Sequence, residues 1–464
     1  MSELIGKLLI EGDLRLLSPL IIGKGSGDNV DIEIIKDEDG QPFIPATSFV
    51  GLLRNYFYTH AELTEEELNV SKLFWGSSYE KPNENYYQSS LIVEDLYPIT
   101  DISIKVRDGI KIDNEVNVAL EKHKFNYEVV EPEAVFHMKL EVNVRRINEQ
   151  NYIDTYKNII FFLINGLRNN KIKLGAMTSK GFGMCQLENV NLYEYDFKEK
   201  SHVIAWLLNQ TEAAKKIDIK PSNIKEKSIQ TFVLSASFEI KNSLLIKSYP
   251  ADPLDPDAVH INSNNRLVLP GTSLKGAIRH RALRIVNTLQ GKQDTQNKLI
   301  NELFGYVDEE KKEKKKSRIV VKESLIDENS IVQFLQNRIR IDRFTGGVID
   351  GGLFDSYSIW PKKSEKGKKM LHVYIEINNF EDWEAGLLLH ILRDLWTGDL
   401  PIGSEKSIGR GVLLGIDAII KTHDEQFYLY KNNEGKLIVE GNIDKLESFS
   451  QALLMKCQES EEFS

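Results

Sequence analysis

Two stretches, Pro45-Ala-Thr-Ser-Phe-Val-Gly-Leu-Leu-Arg54 and Pro270-Gly-Thr-Ser-Leu-Lys-Gly-Ala-Ile-Arg279, open alike, with Pro, Thr, Ser, Gly and Arg at identical offsets. Downstream, Gly175-Ala-Met-Thr-Ser-Lys-Gly-Phe-Gly183 and Gly403-Ser-Glu-Lys-Ser-Ile-Gly-Arg-Gly411 share three glycines and a serine at one spacing. The first pair lies 225 residues apart and the second 228. That period is far beyond the roughly 20–50 residues of solenoid repeats. The chain therefore holds two large copies of one module rather than an array.

Smaller echoes keep the same order. Leu73-Phe-Trp-Gly76 parallels Leu303-Phe-Gly305, and Leu91-Ile-Val-Glu-Asp95 parallels Ile319-Val-Val-Lys-Glu323. Ile110-Lys-Ile-Asp113 parallels Ile339-Arg-Ile-Asp342. Each module opens with an alternating strand, Lys7–Arg15 and Phe232–Ile240. A helix follows, starting at the Pro-x-Thr-Ser segment, where Thr47 or Ser48 and Thr272 or Ser273 are expected as N-caps. Phe49, Leu52, Leu53, Tyr56 and Phe57 recur at helical spacing, as do Leu274, Ile278, Ala282 and Val286. Further strands, a second helix (Tyr156–Arg168; Asp382–Trp396) and the glycine loop complete each copy. This mixture predicts an α+β fold of two tandem ferredoxin-like, RNA-recognition-type domains. The expected division is 1–200 for the first domain, 201–228 for a helix and linker, 229–420 for the second domain, and 421–464 for a C-terminal hairpin and helix.

The 464 residues suit two or three domains, and a 41% hydrophobic, 28% charged composition is that of a globular chain. No apolar run approaches the roughly 20 residues of a membrane helix. The opening residues alternate like a strand and lack the basic head of a signal peptide. Cys185 and Cys457 are the only cysteines, which argues against a disulfide frame or a cysteine-rich zinc site and for a reducing, cytoplasmic setting. A formal charge of −10 weighs against a nucleic-acid partner only as a sum over the surface; one face decides binding.

Four features could carry chemistry. The helix starts at Thr47-Ser48 and Thr272-Ser273 offer amides, hydroxyls and a dipole to a phosphate. The second helix adds Lys275, Arg279, His280, Arg281 and Arg284. One copy alone would read as ordinary capping beside a solvated basic face; the duplication favours a ligand. The glycine loops suit close approach to a sugar-phosphate chain, although a tight turn explains a single copy equally well. Neither loop has the spacing of a P-loop or a dinucleotide fingerprint. Ile341-Asp-Arg-Phe-Thr-Gly-Gly-Val-Ile-Asp-Gly-Gly-Leu-Phe354 reads as a protruding hairpin, to which Arg338, Arg340, Arg343 and Phe344 give charge and a stacking surface. Aspartates of the first loop in each module, Asp28, Asp31 and Asp37 and then Asp252, Asp255 and Asp257, are the only plausible catalytic groups. The lysine run from Lys311 to Lys316 reads as a solvated, mobile loop. The nine histidines show no metal-ligand spacing.

Asp31–Gly51, Pro270–Arg279, both glycine loops and Ile341–Phe354 together resemble the RAMP superfamily, the proteins that build RNA-guided type III CRISPR effectors. The likeness spans about residues 5–192 and 230–418. It implies a backbone subunit with an RNA-recognition core, whose glycine loop and first helix grip guide-RNA phosphates and whose thumb hairpin interrupts guide–target pairing. By position this assigns RNA contacts to Thr47, Ser48, Arg54, Ser179, Lys180, Gly181, Gly183, Thr272, Ser273, Lys275, Arg279, Arg340, Arg343, Phe344, Gly409, Arg410 and Gly411. It also implies cleavage of complementary target RNA by a first-loop aspartate with a divalent metal, Mg²⁺ being expected. Asp31 matches that position. In the second copy Asp257 falls closest, 13 residues before Pro270 against 14 before Pro45, with Asp255 a neighbouring candidate. The first thumb departs from the pattern, with Asn114-Glu-Val-Asn-Val118 in place of Arg-Phe-Thr-Gly-Gly. Two fused modules resemble the double subunits of subtype III-D. Guide CRISPR RNA, target RNA and other effector subunits are the implied partners. A purely structural filament subunit and a guide-processing endoribonuclease are the rival readings, the latter lacking an evident histidine or tyrosine base.

Overall fold

The computed structural model describes residues 3–27, 30–76, 87–113, 118–147, 150–250, 254–292, 294, 297–308, 312–432 and 434–459. The chain forms two compact units. One comprises Met1–Val106, Asn126–Thr178 and Phe182–Ser228; the other comprises Arg107–Phe125, Ser179–Gly181 and Ile229–Ser464. The second unit thus takes in part of a hairpin and the loop tip that precede it in the chain.

In the first unit an antiparallel sheet runs, edge to edge, through Lys215–Ile217, Cys185–Asp196, Glu3–Leu16, Val135–Ile147 and Leu91–Val93. Helices α1 (Ala46–His60), α2 (Glu65–Trp75), α3 (Ile153–Arg168) and α4 (Lys200–Leu207) complete it. Only the first part of the helix expected from Ser201 is helical; Lys215–Ile217 instead adds an edge strand to the sheet. The second unit's sheet runs through Ile319–Val321, Leu371–Asn378, Thr231–Ile240, Leu413–Lys421, Gln426–Lys431 and Leu437–Glu440. Its helices are α5 (Gly271–Leu289), α6 (Lys298–Phe304), α7 (Asp382–Thr397) and α8 (Ile443–Glu459).

Stripped of additions, both units read strand, helix, strand, strand, helix, strand. The first strand lies between the third and fourth, and the second lies outside the third. This is the ferredoxin-like order. The alternation seen in the sequence is its physical basis, since period-2 apolar residues all reach one face. Phe232, Leu234, Ala236, Phe238 and Ile240 are fully buried, and so are Leu8, Ile10, Leu14 and Leu16. Phe49, Leu53, Tyr56 and Phe57 of α1 and Leu274, Ile278, Ala282 and Val286 of α5 close each core from the helix side.

The C-terminal hairpin and helix are part of the second unit's core. The hairpin strands extend the sheet edge, and Phe449, Leu453 and Cys457 of α8 are buried in the same apolar cluster. A Cβ at Gly386 of α7 would overlap the Phe449 carbonyl, so glycine there sets how closely the two helices pack. Among the lysine run, Glu313–Lys315 forms an exposed strand against Tyr306–Asp308 rather than a free loop, and Lys311 lies outside the described residues. No helix among the described residues is long and apolar enough to cross a membrane.

Candidate functional site

The helix starts differ from the sequence expectation in one respect. The N-caps are Pro45 and Pro270, extended at φ near −60° and −64°, and neither helix start has a side-chain cap bond. Thr47, Ser48, Thr272 and Ser273 therefore sit inside the first turn. Proline takes the cap position because its ring already fixes the required φ. In the first module Asp95 Oδ1 accepts from the Ala46 amide at 2.7 Å, supplying a remote cap. This leaves the amides and hydroxyls of Thr47 and Ser48 without a partner among the described residues. The same holds for Thr272 and Ser273.

Farther along these helices, Gly51 and Gly276 occupy equivalent exposed positions, and a Cβ added at either would meet nothing within 4 Å. Glycine in a helix interior costs about 1 kcal/mol relative to alanine. Nothing in the fold of either unit requires it here.

The basic cluster on α5 divides into structural and available cations. Lys275 is buried, and its ammonium donates to the Ser179 carbonyl at 3.1 Å, the Ser317 hydroxyl at 2.7 Å and the Ile319 carbonyl at 2.8 Å. Lys275, expected as an RNA contact, thus has all three donors used internally. Arg279 donates to the Gly305 carbonyl at 3.0 Å and to Asn301 at 2.8 Å, and Arg281 pairs with Asp394 at 2.6 Å. Lys180, which belongs to the same unit, is half-buried and has no hydrogen-bond or ion-pair partner among the described residues. Burial, then Arg279, lowers its pKa; burial, then Lys180 and Arg279, takes Lys275 down to about 7. Burial also lowers Arg279. Of these cations Lys180 is the one whose side chain is left for an outside partner among the described residues, and the neighbouring charge of Arg279 opposes its protonation. Arg54, at the Arg279 position of the first module, is half-buried over the Tyr58 ring at 5.9 Å.

The two glycine loops are built alike. Gly175, Gly181 and Gly183 have φ of 70°, 89° and 72°, and Gly403, Gly409 and Gly411 have 88°, 82° and 77°. All six lie in the left-handed region that glycine alone adopts readily. The reason is mainly internal: a Cβ at Gly183 would overlap the Leu174 carbonyl, and one at Gly411 the Ile402 carbonyl. A Cβ at Gly181 would lie 2.6 Å from the Glu323 amide nitrogen, whereas Gly409 is open, with Asn242 no nearer than 3.7 Å.

Arg410 does not face outward. It is 2% exposed, donates to Gln336 and pairs with Glu405 at 3.2 Å. Glu405, itself left-handed at φ 59°, also takes Arg338 at 2.8 Å and Lys247 at 3.4 Å. Arg410, expected as an RNA contact, is thus a buried structural cation, and Arg338 of the hairpin meets it at Glu405; the other partner of Arg410, Gln336, lies too far away in sequence to be read locally.

The second hairpin pairs Ile331–Ile341 with Val348–Pro361. Its tip is fixed by Asp342, whose carboxylate accepts from the Phe344 amide at 2.7 Å and the Thr345 amide at 2.9 Å. Those amides hold the Asp342 pKa below its ordinary value. Phe344 projects, 99% exposed, beside the exposed Arg340 and Arg343. The first module has a hairpin at the equivalent place, Ile104–Ile112 with Ala119–Val130, although Asn114–Asn117 lie outside the described residues.

The candidate aspartates show the closest correspondence. The Asp31 amide donates to Asn126 Oδ1 at 2.8 Å, and the Asn126 amide donates to Asp31 Oδ2 at 2.8 Å. In the second module the Asp257 amide donates to Asp355 Oδ1 at 2.7 Å, and the Asp355 amide donates to Asp257 Oδ2 at 3.0 Å. The following residues pair in parallel in both, Ile32 with Tyr127 and Ala258 with Ser356. Asp255 has no such bond among the described residues, so Asp257 is the structural equivalent of Asp31. Asp37 instead closes a turn, accepting from the Asp39 and Gln41 amides at 3.0 and 2.8 Å. Asp28 and Asp252 lie outside the described residues.

A RAMP superfamily model matches residues 13–186 and 237–413. The chain belongs to the RAMP superfamily. The two matched regions are the two modules, and this superfamily is associated with type III CRISPR complexes, its members binding RNA and other effector subunits. No curated protein matches the chain.

No group of three or more His, Cys, Asp or Glu among the described residues could hold a metal alone. Mg²⁺ commonly takes only one or two carboxylates, with phosphate oxygens and waters filling the remaining positions. Asp31, exposed and with Oδ1 unengaged among the described residues, and the Asp257–Asp355 pair fit that mode of binding. Asn126 and Asp355 were missed from sequence. Their signal is faint, a Phe-Asn and a Phe-Asp dipeptide 95 and 98 residues beyond the respective aspartates.

Proposed function

We propose that the chain is a cytoplasmic, guide-RNA-binding double backbone subunit of a type III CRISPR effector, of the III-D kind, which cuts complementary target RNA once per module. The observation that carries this reading is the repeated placement of one exposed aspartate, Asp31 and Asp257, tied to the second strand of a hairpin in each module. In each unit the free amides at the helix start and the open helix glycine supply a track for guide phosphates, to which Lys180 adds in the second. The hairpin bearing Phe344 and Arg343 supplies a wedge that displaces a target nucleotide.

In the proposed reaction the 2′-hydroxyl of the displaced nucleotide attacks the adjacent phosphorus. The P–O5′ bond breaks, the 5′-oxygen leaves as a hydroxyl, and a 2′,3′-cyclic phosphate remains. Asp31 and Asp257 orient the attacking hydroxyl or receive its proton through Oδ1. A bound Mg²⁺ would neutralise charge on the phosphate oxygens. Asp31, Asp257 and, in the second module, Asp355 are the residues that would hold it.

RNA binding is tested with Lys180→Gln in the assembled complex. The reading expects weaker guide RNA binding and a salt dependence shallower by roughly one counterion. Unchanged affinity and slope would remove Lys180 from the track. Mapping of target cuts tests the nuclease half of the reading, against a purely structural filament subunit.

A further inference from the structure

Resting on that reading, we infer that Asn126 and Asp355 are positioning residues for the two cleavage aspartates. Each forms with its aspartate a closed pair of hydrogen bonds. The side chain accepts from the aspartate's amide and the backbone amide donates to the aspartate's carboxylate, at 2.7–3.0 Å throughout. In both modules the carboxylate oxygen engaged is Oδ2, and Oδ1 has no hydrogen bond among the described residues. A carboxylate on an exposed loop would otherwise sample several rotamers, and fixing one geometry is what separates a catalytic group from a surface charge. The pair needs only an Oδ acceptor and a backbone N–H, which explains how asparagine serves in one module and aspartate in the other.

The clamp also determines what the carboxylate is fixed to. Asn126 lies in Ala119–Val130 and Asp355 in Val348–Pro361, the second strand of each hairpin. The Asp257 carboxylate is therefore registered to the hairpin proposed to displace the target nucleotide, and the Asp31 carboxylate to the equivalent hairpin of the first module, rather than each to its own loop. The parallel pairing that follows, Ile32 with Tyr127 and Ala258 with Ser356, continues the attachment into the core, where Ala258 and Tyr127 are buried.

The test is single-turnover cleavage of a complementary target by the assembled complex, with cuts mapped along the RNA. Asn126→Ala is expected to slow the cut assigned to Asp31 at least tenfold, with target affinity unchanged and the Asp257 cut in the same chain unaffected. Asp355→Ala is expected to do the converse. Asn126→Asp, which keeps the acceptor, restores the cut lost in Asn126→Ala, whereas Asn126→Gln, which displaces it by one methylene, does not. The cut at the other module reports folding in every variant. Cuts retained within twofold in both alanine variants, or Asn126→Asp as slow as Asn126→Ala, would overturn the inference. Asp31→Ala and Asp257→Ala run alongside: if those variants also keep their cuts, the nuclease reading has failed rather than the clamp.

Discussion

Replacing Gly276 of α5 by alanine separates a glycine kept for the fold from one kept for a ligand. The residue is exposed in the second turn of the helix, and a Cβ there would meet nothing within 4 Å. Alanine therefore adds no clash and removes the entropic cost of glycine, worth about 1 kcal/mol in a helix interior. For a unit of this size that corresponds to a rise in Tm of roughly 2–4 °C. If α5 lies against the guide backbone, the added methyl group holds the RNA off the helix. A threefold loss of affinity, about 0.7 kcal/mol, is then the least expected. Gly276→Leu should lose more. Thermal unfolding and RNA filter binding on the same preparations give both values, and Gly51→Ala should repeat the pattern in the first module. Higher stability with unchanged RNA affinity in the alanine and leucine variants would refute the assignment of this helix face to RNA.

Gly183→Ala and Gly411→Ala should behave in the opposite way, destabilising their modules by more than 1 kcal/mol in urea unfolding. Each combines a left-handed φ with overlap on a carbonyl of its own loop. Arg107 and Glu323 form a pair at 2.6 Å whose side chains are 1% and 9% exposed. Arg107→Met alone should cost roughly 3–5 kcal/mol by stranding the carboxylate, and adding Glu323→Leu should recover much of it. His260 is buried, with Nδ1 accepting from the Ile246 amide and Nε2 donating to the Val268 carbonyl; burial takes its pKa down to about 4. As pH falls below about 6.5 the unfolded chain takes up a proton that the folded one refuses, so stability drops until pH reaches about 4, by on the order of 3 kcal/mol. His260→Gln should flatten that part of a urea-unfolding pH series, and an unchanged slope would assign it to other groups.

The fold was legible because its signals are local and occur twice. Alternation placed Thr231–Ile240, 3.6-residue periodicity placed α5, and the repeated Pro-x-Thr-Ser and glycine segments fixed the order of elements. The site was legible only in part. The six loop glycines could be identified, since a duplicated offset is visible in one dimension, whereas Asp31 was singled out by family resemblance. The roles of Lys275, Arg338 and Arg410 could not, because burial and the partners Ser179 and Ser317 of Lys275, Glu405 of Arg338 and Gln336 of Arg410 come from chain segments some 40 to 100 residues away. The caps were misread because Thr and Ser are strong cap formers and Pro45 and Pro270 already satisfy the same φ. The choice between Asp255 and Asp257 needed the hydrogen bonds to Asp355, which no local pattern encodes.

The most direct test of the central claim is the target-cleavage pattern of the assembled complex with Mg²⁺, comparing wild type with Asp31→Ala and Asp257→Ala separately. The account predicts that each variant assembles, binds guide and target as wild type does, and loses one cut while keeping the other. Persistence of every cut in both variants would place the chemistry in another residue or subunit and leave this RAMP protein a scaffold.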